Sequence, residues 1–196
     1  MFKRRKKLGT ADYKKEKLET IIKLSQTGDL KALEELIRRI QKNVFTTFSY
    51  LTNKRQDTAD LTQEALLKTA KNISSLKDVN CFKSWLNHIV TNIYHDFVKK
   101  HANDKKIDFD EDKILELKDK IGCEPGERCL FSEMEKIIKI ALLNLPADLR
   151  VAIILREYEG LSYDDISKLT NTTIGTVKSR ISRARLKLQK QLKEFL

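Results

Sequence analysis

Apolar residues recur at helical spacing along most of this chain and nowhere alternate with polar ones over a strand's length, so a sheet-based core is excluded. Leu30, Leu33, Ile37, Ile40 and Val44 repeat in this way behind a start signal of Thr27, Gly28 and Asp29. A second helix is expected from about 57 to 73, burying Leu61, Ala65 and Leu66. A third is expected from about 80 to 100, with Phe82, Leu86, Ile89, Ile93 and Phe97 on one side. Two prolines and six glycines in 196 residues leave few places to break these helices.

The pattern fails between 102 and 129, where Asp, Glu and Lys mix with Gly122, Pro125 and Gly126. This stretch reads as a flexible linker, with one helical turn expected around 114–117. Helical spacing resumes near Leu130, runs to about 144, and after Leu145 and Pro146 continues from about 147 to 157. The expected fold is all-α: a basic tail over 1–17, a helical domain over 18–101, the linker over 102–129, and a second helical domain over 130–196.

The segment 160–185 carries the strongest functional signal. Ile166 and Leu169 make the apolar side of one short helix. Asn171 stands where a tight turn needs left-handed backbone, and Thr172 or Thr173 can cap the next helix. In that helix Val177, Ile181, Ala184 and Leu188 form a buried stripe, and the opposite side presents Gly175, Thr176, Lys178, Ser179, Ser182 and Arg183. Small residues admit a close approach of the backbone to a groove, and cations reach phosphates or base edges. That is the anatomy of a helix-turn-helix recognition helix. A basic amphipathic helix can also be no more than a solvated face, but the capped turn and the small outer residues together favour DNA.

Charge agrees. The net charge is +11 with a pI near 9.5, which favours an anionic partner. It is unevenly spread: the tail is basic, 104–135 is acid-rich, and the last helix is basic again. Against this background Asp57, Asp60 and Glu64, with Gln63 beside them, line one helix face. Acids near a helix start can simply offset the macrodipole. An exposed acidic stripe on a basic protein otherwise suits a protein partner. In the third helix Asn80, Lys83, Asn87, Thr91, Asn92, His95 and Lys99 can supply polar edges and backbone contacts to an extruded base. Phe82 and Trp85 lie at core spacing, and Tyr94 is the better candidate for an exposed stacking ring.

Other classes find little support. No apolar run spans a membrane and no signal peptide is recognisable, which implies a cytoplasmic protein. Cys81, Cys123 and Cys129 are odd in number and irregularly spaced, hence read as reduced thiols rather than a metal clip. His88 and His95 lack ligand companions, so no metal is expected. Neither a phosphate-binding glycine loop nor a catalytic dyad stands out, so no cofactor and no enzymatic activity are expected.

Five motifs resemble the extracytoplasmic-function group of bacterial sigma-70 factors. Gly-Leu-Ser-Tyr at 160–163, Ile-Gly-Thr-Val-Lys-Ser-Arg at 174–180 and Arg-Ala-Arg at 183–185 are similar to region 4, with Thr170 and Asn171 departing from its usual apolar residue and glycine. Asp-Thr-Ala-Asp-Leu-Thr-Gln-Glu at 57–64 is similar to region 2.2, and the Trp85, Leu86, Ile89, Asn92 pattern to regions 2.3 and 2.4. The resemblance implies a promoter-specificity subunit of RNA polymerase. Asp57, Asp60, Gln63 and Glu64 would then face the β′ clamp helices. The third helix and the preceding loop, 74–81, would hold the −10 element, and the recognition helix would read the −35 element beside the β flap. It also allows an anti-sigma factor as a partner. The alternatives are a stand-alone helix-turn-helix activator, which gives the acidic stripe no purpose, and a DNA-processing enzyme, for which no nucleophile or metal-binding carboxylates are found.

Overall fold

The computed structural model describes residues 13–101 and 127–193, with side chains described from 134 onward in the second span. Eight α-helices and no strand occur among the described residues. In the first module α1 (Leu18–Gln26), α2 (Leu30–Leu51), α3 (Arg55–Asn72) and α4 (Phe82–His101) form a bundle, with single 3₁₀ turns at Ile73–Ser75 and Val79–Cys81 before α4. In the second, α5 (Glu127–Leu143), α6 (Ala147–Ile153), a π-helical turn (Ile154–Tyr158), α7 (Tyr163–Thr170) and α8 (Ile174–Leu192) pack together. Residues 1–12 of the expected basic tail and 102–126 of the expected linker, with Cys123 and the helical turn expected at 114–117, lie outside the described residues, as does the side chain of Cys129.

Local chemistry accounts for the starts. The Asp29 carboxylate caps α2 by accepting from the amides of Lys31 (3.0 Å) and Ala32 (3.1 Å), which holds its pKa below the usual carboxylate range. Behind it Gly28 takes a left-handed φ of 86°, which closes the α1–α2 turn. Glu35 accepts from both Arg38 and Arg39, so its pKa falls to about 2. Arg39 in turn donates to the carbonyls of Tyr13 and Glu16, which ties the segment before α1 to α2.

The expected core faces are mostly found. Ile40, Val44, Leu61, Ala65, Phe82, Leu86 and Ile93 are buried, while Leu33, Ile37, Leu66, Ile89 and Phe97 pack against them partly exposed. Leu30 differs: it is 78% exposed, at the first position of α2, and the buried face of the helix begins with Ala32. The helix α1, not foreseen as a separate element, closes the bundle with Ile21 and Ile22 fully buried.

The two modules are docked on each other and share one hydrophobic cluster. Helix α2 meets α5 and α6, and α4 meets α7. Two buried charges cross the seam. Arg150, 4% exposed, donates to the carbonyl of Leu51 (2.7 Å) in the first module and to those of Leu143 (2.6 Å) and Leu145 (2.8 Å) in its own. Glu159, 2% exposed, lies among side chains of α2 and α4. A free chain with freely spaced modules is therefore not what the structure holds: apolar faces and paired polar groups fit across the seam.

Candidate nucleic-acid and polymerase interfaces

The recognition unit is built as its residues dictate. Ser162 caps α7, accepting from the amide of Asp165 at 3.0 Å. Asn171 ends that helix at φ 51° and ψ 47°, the left-handed geometry that an Asn tolerates better than other non-glycine residues. Thr173 then caps α8 through the amide of Thr176 at 3.1 Å. Val177, Ile181 and Ala184 are buried against the module, and Leu188 packs at their edge.

The opposite side of α8 is open. Gly175, Lys178, Ser179, Ser182 and Arg183 are exposed and Thr176 is half-buried. A methyl group on Gly175 would meet nothing closer than Thr173 Oγ1 at 3.7 Å, so the fold itself does not require glycine there. Arg183 folds back on Ser179, donating to its hydroxyl at 3.1 Å. Two other cations of α8 are committed within the module: Arg180 pairs with Asp148 at 2.7 Å, and Arg185 pairs with Glu157. Tyr163 lies under the Arg156 guanidinium at 4.6 Å, with Lys178 Nζ at 5.9 Å from the same ring.

On α3, Asp60, Gln63 and Glu64 are exposed and Asp57 is half-buried. None of them caps the helix, since α3 begins after Lys54 without any side-chain cap. Asp60 accepts from Gln56 at 3.0 Å, and Glu64 pairs with Lys68 at 2.8 Å, both along the helix surface. Such exposed pairs contribute little to stability.

The third group is split. Asn80, Lys83, Asn92 and Lys99 are exposed and His95 is half-buried. Asn87 and Thr91 are buried, at 3% and 2% exposure. They were expected to offer polar edges outward, and Thr91 is covered instead. Asn87 donates across the seam to Glu159 at 3.3 Å. Tyr94, expected as an exposed ring, is 3% exposed: it stacks on Phe97 with its hydroxyl 3.4 Å from Arg150 Nη1. Burial raises the pKa of that phenol, and the neighbouring guanidinium opposes the rise. Phe82 is buried and Trp85 half-buried, 6.0 Å apart, as packing residues would be. Sequence periodicity had no means of revealing the seam residues Arg150 and Glu159, because their partners lie 99 and up to 116 positions away.

Comparison with known proteins decides the family. Residues 36–103 match the Sigma-70 region 2 family and residues 137–188 the Sigma-70, region 4 family. The ECF RNA polymerase sigma-E factor of Haemophilus influenzae is 31% identical over 185 residues, covering 91% of this chain and 96% of that protein. The chain belongs to the extracytoplasmic-function group of the sigma-70 family. The RNA polymerase sigma-H factor of Pseudomonas aeruginosa is 30% identical over 186 residues, covering 91% of this chain and 95% of the other. Among solved structures, the sigma factor RpoE in complex with the anti-sigma factor NepR, from Bartonella quintana, is similar with a TM-score of 0.63 and 28% identity, covering 84% of this chain and 98% of that one.

This sigma factor is therefore a promoter-specificity subunit of RNA polymerase that acts in transcription initiation, not a stand-alone activator. Its two motif sets fall within the two matched regions. Among the described residues no helix is long and apolar enough to cross a membrane, and no cluster of His, Cys, Asp and Glu could hold a metal ion.

Proposed function

We propose that this sigma factor docks on the β′ clamp helices of core polymerase through Asp57, Asp60, Gln63 and Glu64. Helix α8 reads the −35 element through Gly175, Thr176, Lys178, Ser179, Ser182 and Arg183, beside the β flap. Helix α4 and the loop before it take the −10 strand, using Asn80, Lys83, Asn87, Thr91, Asn92, His95 and Lys99. The functional division follows 18–101 and 130–196, and the factor acts in the cytoplasm without catalytic chemistry of its own. An anti-sigma factor is a further partner, as in the complex of the similar RpoE.

The observation that carries this reading is the outer face of α8: small and cationic, exposed, and with a glycine that the fold does not itself demand. Small residues let the helix backbone sink into the major groove, and Arg183 is long enough to reach a guanine edge. In the docked form Asn87 is inaccessible and bonded to Glu159 of the second module, so its −10 role needs the modules to part. Core polymerase supplies that work by binding both, which converts two weak contacts into one bivalent reader.

Run-off transcription and permanganate footprinting test the reading. The purified chain alone should bind promoter duplex weakly and with steep salt dependence. Adding core should give unpaired, reactive thymines at −10 and a defined transcript. Nanomolar binding by the chain alone near physiological salt, with neither melting nor transcript on adding core, would overturn it.

A further inference from the structure

Glu159 is the least explained charge in the molecule. It follows the π-helical turn and precedes Gly160, whose φ of 68° turns the chain toward α7. Its carboxylate is buried, yet among the described residues its side-chain partners all lie in the other module. Oε1 accepts from Thr47 Oγ1 at 2.7 Å and from Asn43 Nδ2 at 3.1 Å, both on α2. Oε2 accepts from Asn87 Nδ2 at 3.3 Å and lies 3.9 Å from Lys83 Nζ, both on α4. An amide, a hydroxyl, a second amide and an ammonium thus converge on one carboxylate supplied by the other module.

Such a set of donors suits any strong acceptor. Lys83 and Asn87 are also the residues through which the −10 strand would be held, so the present inference rests on the function proposed above. We propose that the Glu159 carboxylate is an internal latch that occupies an amide donor of Asn87 and draws in the Lys83 ammonium, covering this part of the −10 face of the free factor until polymerase parts the modules.

The energetics suit a reversible device. Burying a carboxylate costs much of what its paired hydrogen bonds return, so the closed contact contributes little net stability. When the modules separate, Glu159 returns to water and recovers its hydration, which offsets part of the cost of exposing the apolar faces that share the seam. Asn87 keeps its intrahelical bond to the Lys83 carbonyl, and the donor that faced Glu159 is then free for a phosphate or base oxygen, as is the Lys83 ammonium. Arg150 differs: two of its bonds go to Leu143 and Leu145 of its own module, so it keeps a partner in either state.

Two variants of the full chain test the latch. Glu159→Lys sets like charge against Lys83. Thr47→Val removes the shortest donor from the opposite side of the seam without altering net charge. The readouts are small-angle scattering, for module separation, and anisotropy of a fluorescein-labelled single-stranded 12-mer of mixed sequence, without polymerase. Both variants should expand the chain and tighten DNA binding roughly tenfold, the effect of losing one charge-assisted hydrogen bond. Glu19→Lys, exposed on α1 and matched in charge to the first variant, should change neither reading.

Expansion without a gain in DNA binding overturns the occlusion, and an unexpanded Thr47→Val chain overturns the latch. Equal tightening by Glu19→Lys reduces the gain to bulk charge and also overturns it. Transcription with core separates this from the function itself. A wild-type chain that initiates normally while the variants stay closed refutes the latch alone; one that never initiates refutes the function proposed above.

Discussion

The two surfaces proposed to meet promoter DNA differ in how the protein keeps them. The outer stripe of α8 lies open, with Ser179, Ser182 and Arg183 exposed. On α4, Asn87 and Thr91 are buried, and Asn87 and Lys83 face a carboxylate from the other module. One face is open in the free chain and the other is partly covered, at Asn87 and Thr91. A factor that must not melt DNA by itself can leave its duplex-reading helix exposed, since duplex contact is weak and reversible. The strand-holding face is the one whose exposure has consequences.

The largest test of this contrast removes the agent that would uncover α4. Reversing Asp60 and Glu64 to Lys should abolish co-purification with core polymerase and eliminate permanganate-reactive thymines. The circular-dichroism melt should stay essentially unchanged, because these charges are exposed. Undiminished polymerase binding would return both acids to a plain surface role.

The covered side can be broken from within. Arg150→Ala leaves the carbonyls of Leu51, Leu143 and Leu145 without their donor and should cost about 3 kcal/mol in thermal or urea unfolding. Burial also lowers the pKa of that guanidinium, in keeping with its dry site. A variant as stable as the wild type would mean that water replaces the guanidinium and that the seam is loosely held.

The open side responds differently. Arg183→Ala should lose roughly 1–3 kcal/mol on the preferred −35 duplex and relax selectivity at one position. Lys187→Ala should weaken matched and scrambled duplexes alike. Binding of both variants to the two duplexes gives the answer, and equal losses for Arg183→Ala would leave it a phosphate contact.

The smallest effect belongs to the turn that aims α8. Asn171→Gly relieves a left-handed residue at φ 51° and should stabilise the chain by about 0.5 kcal/mol, seen as a slightly higher Tm with −35 affinity unchanged. A fall in Tm would show that the Asn side chain contributes more than its backbone costs.

Much of the molecule was legible in its residues. Helical spacing located α3 and α4 to within a few positions and the faces of α2 and α8, and the turn chemistry of Asn171 and Thr173 is found as expected. These features rest on neighbours three or four positions apart, where backbone geometry alone decides which side chains share a face. Motif resemblance located both sigma regions for the same reason, since a motif is a local pattern.

What only the tertiary structure decided is which polar residues remain available. Asn87 and Asn92 are the same residue type on one helix, yet Asn87 is buried beneath Glu159 and Asn92 is exposed and bonded to His88. Tyr94 is enclosed by the approach of Arg150, 56 positions away. The sequence by itself determined the helices other than α1, their two groupings and the recognition turn. Whether a given polar group meets water, DNA or the other module depends on contacts between distant segments, and no local periodicity encodes how two finished modules dock.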